Sequence, residues 1–131
     1  MRTIEHWVAG KPTSGNGDRR GRVWNPATGE QQAEVVLATR DDVDTAVTAA
    51  RSAFLEWSQA SLSQRTKVLF AFRELVNANI DRIAEAITDE HGKVLSDARG
   101  EVQRGLEVVE FVCGIPQLLK GDFSAQVSTG V

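Results

Sequence analysis

Up to about residue 38 the apolar and polar positions alternate in short bursts, and beyond it they fall into helical spacing, so the chain reads as strands followed by helices. Trp7-Val8-Ala9-Gly10-Lys11-Pro12 is a short extended run that stops at proline and enters Ser14-Gly15-Asn16-Gly17-Asp18, the densest cluster of turn formers. The pattern becomes strand-like again at Arg22-Val23-Trp24, turns at Asn25-Pro26-Ala27-Thr28-Gly29 and resumes through Ala33-Glu34-Val35-Val36-Leu37. Together these runs predict a β-hairpin or meander.

Thr39, with Asp42 three residues on, is an acidic variant of the capping box and marks the first helix. Val43, Ala46, Val47, Ala50, Phe54 and Trp57 then form one apolar stripe. Ser61 with Gln64 repeats the signature ahead of a second stripe at Val68, Leu69, Phe72, Leu75 and Val76. Ile80, Ile83, Ala84 and Ile87 carry a third helix to Gly92, placed where a left-handed terminating glycine belongs. Ser96 is positioned to cap a fourth, with its stripe at Val102, Leu106, Val109 and Cys113, ending before Gly114-Ile115-Pro116. Gly100 and Gly105 inside that helix suggest a close neighbour of the backbone, since each weakens a helix by about 1 kcal/mol relative to Ala. From Asp122 to Val131 the alternation is again that of a strand.

Composition adds limits. The 131 residues are 41% hydrophobic and 25% charged, the make-up of one globular domain. With 15 Lys and Arg against 18 Asp and Glu there is no basic surplus to draw the chain to nucleic acid or anionic lipid. No run is long and apolar enough for a membrane span, and the first residues do not read as a signal peptide. The single cysteine, Cys113, leaves no intrachain disulfide, so a reducing compartment, the cytoplasm, is expected.

Candidate chemistry within the chain is sparse. Cys113 is the only thiol, but it lies on an apolar stripe and reads as core, so no catalytic residue is assigned. His6 and His91 match no triad or metal spacing, and no metal site is expected. The glycine-rich Gly15–Gly21 stretch opens no helix and reads as a hairpin turn rather than a phosphate loop. Trp7, Trp24 and Trp57 lack interleaved basic residues, so packing accounts for them better than base stacking. Glu101, Arg104, Glu107 and Glu110 fall at steps of three and form an acidic ridge with one arginine in it, which spacing alone describes as a solvated face.

The order of a hairpin, Asn25-Pro26-Ala27-Thr28-Gly29-Glu30, capped helices, Glu90-His91-Gly92-Lys93 and a glycine-bearing helix resembles the start of the aldehyde dehydrogenases. The resemblance covers the whole chain. Ser96 through Phe111, and Gln64-Arg65 through Arg73-Glu74-Leu75, look most like the CoA-acylating methylmalonate-semialdehyde branch. It implies an α/β parent enzyme with a Rossmann-type cofactor domain, which takes malonate or methylmalonate semialdehyde with NAD and CoA to acetyl-CoA or propionyl-CoA and carbon dioxide. In that family a cysteine thiolate attacks the aldehyde, and the thiolate and the nicotinamide-binding sheet lie past the end of this sequence. The branch also implies that the arginine in the Arg-Gly-Leu-Glu context, here Arg104, binds the carboxylate of the semialdehyde.

On this reading residues 1–38 form an N-terminal β-hairpin or meander, 39–121 a helical segment packing on the parent cofactor domain, and 122–131 the start of a strand. Alone the segment is expected to be inactive, to bind neither NAD nor CoA, and to self-associate or join a longer homologous subunit. Two rival readings remain open: a free-standing helical interaction module, which the apolar stripes also suit, and a truncated regulatory paralogue.

Overall fold

The computed structural model describes residues 1–122, so the strand expected after Asp122 lies outside the described residues. Five short strands come first: β1 (Arg2–Ile4), β2 (His6–Val8), β3 (Lys11–Thr13), β4 (Arg20–Trp24) and β5 (Gln31–Val36). β4 and β5 form the expected antiparallel hairpin, running from the Arg20↔Val36 pair to Trp24↔Gln31. Its turn is built by Asn25, whose side-chain oxygen accepts from the Ala27 N–H at 2.9 Å, and by Gly29 at φ +73°. β1 then adds in parallel to the far edge of β5, which makes β5 the central strand and explains why Ala33 and Val36 are buried.

Two details depart from the sequence reading. Trp7–Pro12 is not one strand but β2 and β3 folded onto each other, with His6 opposite Thr13 and a reversal at Ala9 (φ 52°) and Gly10 (φ 78°). Two successive positive φ angles are what a tight two-residue hairpin requires. The glycine-rich stretch after β3 links this hairpin to the three-stranded sheet and closes no hairpin of its own.

The helices begin where the caps place them. α1 (Arg40–Trp57) starts at Thr39, whose side chain accepts from the Asp42 N–H while Asp42 accepts in return from the Thr39 backbone. Asp42 also accepts from the backbone and side chain of Asn16, at 2.9 and 2.7 Å, which fastens the glycine-rich loop to the helix start. α2 (Leu62–Ala78) has the same box from Ser61 and Gln64, and α3 (Ile80–His91) ends on Gly92 at φ +81°. α4 (Leu95–Val112) is capped by Val94, not by Ser96, which lies inside the first turn. The Val94 carbonyl takes the first helical bonds, from Asp97 and Ala98, so the extended backbone ends two residues before the serine. Past Gly114 the chain forms one more short helix, α5 (Ile115–Leu118), because Pro116 sits in the first turn, where its missing N–H breaks no bond.

The core lies between α3 and α4. Ala84 and Ala98 are fully buried, Val102 joins them, and Val76, Ile80, Ile83, Ile87 and Leu95 pack around. Two alanines at the crossing let the helix backbones approach closely. α1, by contrast, has no buried residue, and Val43, Val47, Phe54 and Trp57 of its stripe remain exposed. The tryptophans are likewise not buried: Trp7 is 73% exposed and Trp24 and Trp57 about half.

Candidate functional site

α4 carries the charged residues of interest, and its buried face fixes where they point. Ala98, Val102 and Leu106 are buried, so Glu101, Arg104 and Gly105 stand on the exposed part of the helix. The glutamates of the ridge do not form one undivided acidic face. Glu110 is taken by Arg73 of α2, whose Nε and Nη2 donate to it at 3.0 and 2.6 Å. Glu101 is taken by Lys93, at 2.6 Å from Nζ, and Lys93 arrives from the connection between α3 and α4.

Arg104 is left with a single loose neighbour, Oε1 of Glu101 at 4.0 Å from Nη2, and its side chain is 69% exposed. Among the described residues its guanidinium makes no hydrogen bond. An added Cβ on Gly100 would lie 3.6 Å from Nη1 of Arg104, so the side chain folds back along α4 over that glycine. A Cβ on Gly105 would touch nothing within 4 Å. The glycines therefore leave room around Arg104 and are not pressed by a neighbouring backbone among the described residues, contrary to the sequence expectation. Beside this surface runs an apolar groove of about 350 Å3, lined by Phe72, Val76, Ile83, Ile87, Val102 and Val109, with Glu101 and Gly105 at its α4 side.

The Glu101 carboxyl is held below the usual carboxylate range, first by the hydrogen bond from Lys93, against a smaller opposing effect of desolvation, and further by the fields of Lys93, Arg104 and His91. Its negative charge is thus held chiefly by Lys93, with Arg104 acting on it only at longer range.

The other sequence candidates stand apart from this surface. Cys113 is half-buried rather than core, at the C-terminal end of α4, where its N–H donates to the carbonyls of Val109 and Glu110. That end of a helix presents carbonyl oxygens, whereas N–H donors at the opposite end serve a nucleophilic thiolate. His91 is exposed in the last turn of α3, and His6, the first residue of β2, keeps a buried Nε2 without a hydrogen-bond partner among the described residues. No group of three or more His, Cys, Asp or Glu among the described residues is arranged to hold a metal ion, and no described helix is long and apolar enough to cross a membrane.

A nucleotide phosphate has no place at the start of α1, the helix entered directly from a strand. The Thr39–Asp42 box fills its N-terminus and Asp41 adds a second carboxylate, so a phosphate would meet two negative charges where it needs free N–H groups.

Residues 13–131 match the model of the aldehyde dehydrogenase family. The malonate-semialdehyde dehydrogenase of Listeria monocytogenes serotype 4b (strain F2365) is 42% identical over 131 residues, which is 100% of this chain and 27% of that protein. The methylmalonate-semialdehyde dehydrogenase of Oceanimonas doudoroffii superposes with a TM-score of 0.89 at 42% identity, over 99% of this chain and 26% of that one. A Sinorhizobium meliloti 1021 protein described as of the same type, solved with NAD, gives a TM-score of 0.89 at 40% identity over 98% of this chain and 26% of its own. The chain therefore spans about a quarter of the length of these relatives.

Proposed function

The chain belongs to the aldehyde dehydrogenase family, and from that premise we propose that it forms the N-terminal segment of an NAD-dependent, CoA-acylating malonate- or methylmalonate-semialdehyde dehydrogenase. The reading is supported by identity of about 40% spread over the whole chain to relatives of that type. NAD belongs to this family's chemistry; CoA as acyl acceptor is part of the proposal. Within the proposed enzyme, this segment's contribution is to the acidic end of the substrate. Residues 39–121 would lean on the cofactor domain, and longer copies of the chain would be its partners.

Arg104 carries that contribution. It is an exposed guanidinium without a hydrogen-bond partner among the described residues, beside an apolar groove and flanked by a glycine that leaves space. A guanidinium fork matches a carboxylate in a bidentate way, which separates a semialdehyde acid from a plain aldehyde.

The test is kinetic, in the full-length enzyme carrying this segment. Hydrogen bonds to charged groups contribute roughly 1.5 to 3 kcal/mol, so Arg104→Ala should lower kcat/KM for malonate semialdehyde at least about tenfold, with propanal much less affected. Arg104→Lys should restore activity only in part, because an ammonium lacks the planar fork. Equal losses on both aldehydes would make Arg104 structural, and no loss on either would return it to the solvated ridge.

A further inference from the structure

Lys93 and Glu101 do more than tie the α3–α4 connection to α4. Building on the reading of Arg104 as the carboxylate receptor, we propose that Lys93 is a positioning residue: it holds Glu101 away from Arg104 and so keeps the guanidinium available to an acidic substrate.

The geometry is a competition for one oxygen. Oε1 of Glu101 lies 2.6 Å from Lys93 Nζ and 4.0 Å from Arg104 Nη2. The first is a full charge-assisted hydrogen bond, and the second is too long to be one. Glu101 and Arg104 are three residues apart on one helix, a spacing at which a carboxylate and a guanidinium meet readily. Their failure to close therefore has a cause, and the cause present is Lys93. Its side chain is only 21% exposed, whereas that of Arg104 is 69% exposed. Lys93 is also anchored at its base, because Gly92 in the left-handed conformation ends α3 and turns the chain toward α4. The hydrogen bond from Lys93 is the largest influence holding the Glu101 carboxyl ionised, ahead of the field of Arg104.

Removing the Lys93 cation leaves Glu101 with Arg104 as the cation next to it on α4. The side chain then swings onto the guanidinium, and the substrate's carboxylate must displace an internal one. An exposed pair at this spacing has the strength to shift binding by about two- to fivefold.

Steady-state kinetics on the full-length enzyme carrying this segment, with malonate semialdehyde and uncharged propanal as paired substrates, tests this. Lys93→Met should raise the ratio of KM for the acidic aldehyde to KM for propanal about two- to fivefold. Adding Glu101→Gln to it should bring the ratio back, since the amide cannot compete as an anion, and Lys93→Arg should keep the original ratio. A merely structural Lys93 would move both KM values together and would not be rescued by Glu101→Gln; either result overturns the proposal. Arg104→Ala in the same series separates the two levels. If it leaves the discrimination between aldehydes intact, the reading of Arg104 fails; if it abolishes it while Lys93→Met changes nothing, only the role of Lys93 fails.

Discussion

At the scale of single residues, one carboxylate organises the junction between the strands and the first helix. Asp42 accepts hydrogen bonds from the Thr39 backbone, the Thr39 hydroxyl, and the backbone and side chain of Asn16. These hold its carboxyl below the ordinary aspartate range, the Thr39 backbone bond contributing most. Because the folded value is depressed, its stabilisation is complete above the unfolded value of about 3.9 and is lost as pH falls from there through the folded value. Asp42→Asn should therefore melt lower than the parent sequence at pH 7, and the gap should narrow as pH is taken below about 4. Thermal melts followed by circular dichroism across that range check it; a gap that widened in acid would contradict the assignment. The capping box was legible from Thr39 and Asp42 alone, but the reach of Asp42 to Asn16 across 26 residues was not. Arg104 shows the opposite limit. Spacing placed it on a solvated ridge, and only the resemblance singled it out; the pairing of Glu101 with Lys93 and of Glu110 with Arg73 required three dimensions.

At the scale of elements, much of what is encoded within a few residues could be read, and what depends on distant partners could not. The starts of α1 and α2 and the end of α3 follow from local signals at Thr39, Ser61 and Gly92. The parallel pairing of β1 with β5 joins Arg2 to Ala33, and three residues of strand carry no sign of that partner. The β2–β3 reversal was hidden because alanine, not asparagine or aspartate, occupies the first left-handed position. The α3–α4 crossing depends on small residues that a hydrophobic pattern marks only as apolar. Ala84 is fully buried against Ala98 and Val102, so Ala84→Leu should push the helices apart and lower stability by about 1 to 3 kcal/mol. Gly92→Ala tests the helix end: φ is +81° and an added Cβ would come within 2.9 Å of Pro26 Cγ in the β4–β5 turn. Strain and clash together should cost about 1 to 3 kcal/mol in a chemical denaturation series. If alanine is tolerated there, the contact between the sheet and the end of α3 is not a packed one.

At the scale of the whole molecule, the accessible surface is too large for a chain of this mass. A folded monomer of 14.3 kDa is expected to expose about 6800 Å2, whereas this chain exposes 10040 Å2. Residues 123–131 do not account for the difference, since a segment of that mass exposes at most about 1300 Å2 even when unfolded. Roughly 1900 Å2 remains, more than the about 800 Å2 that one partner loses at a standard-size interface. The character of the surface agrees with its size. Phe54, Leu55 and Trp57 of α1, Phe70, Phe72 and Leu75 of α2, and Trp7 of the β2–β3 hairpin all stand exposed. Apolar area of this extent is stabilised by removal from water, and the relatives are about four times longer, so in the proposed enzyme there is ample chain to cover it. The 131-residue chain on its own has only other copies of itself. It should therefore bind a hydrophobic dye strongly and sediment as dimers or larger species, with the fraction of monomer falling as concentration rises. A compact monomer that persists at high protein concentration without dye binding would mean that the exposed faces are stable in water, and would favour a free-standing module over a segment of a longer enzyme.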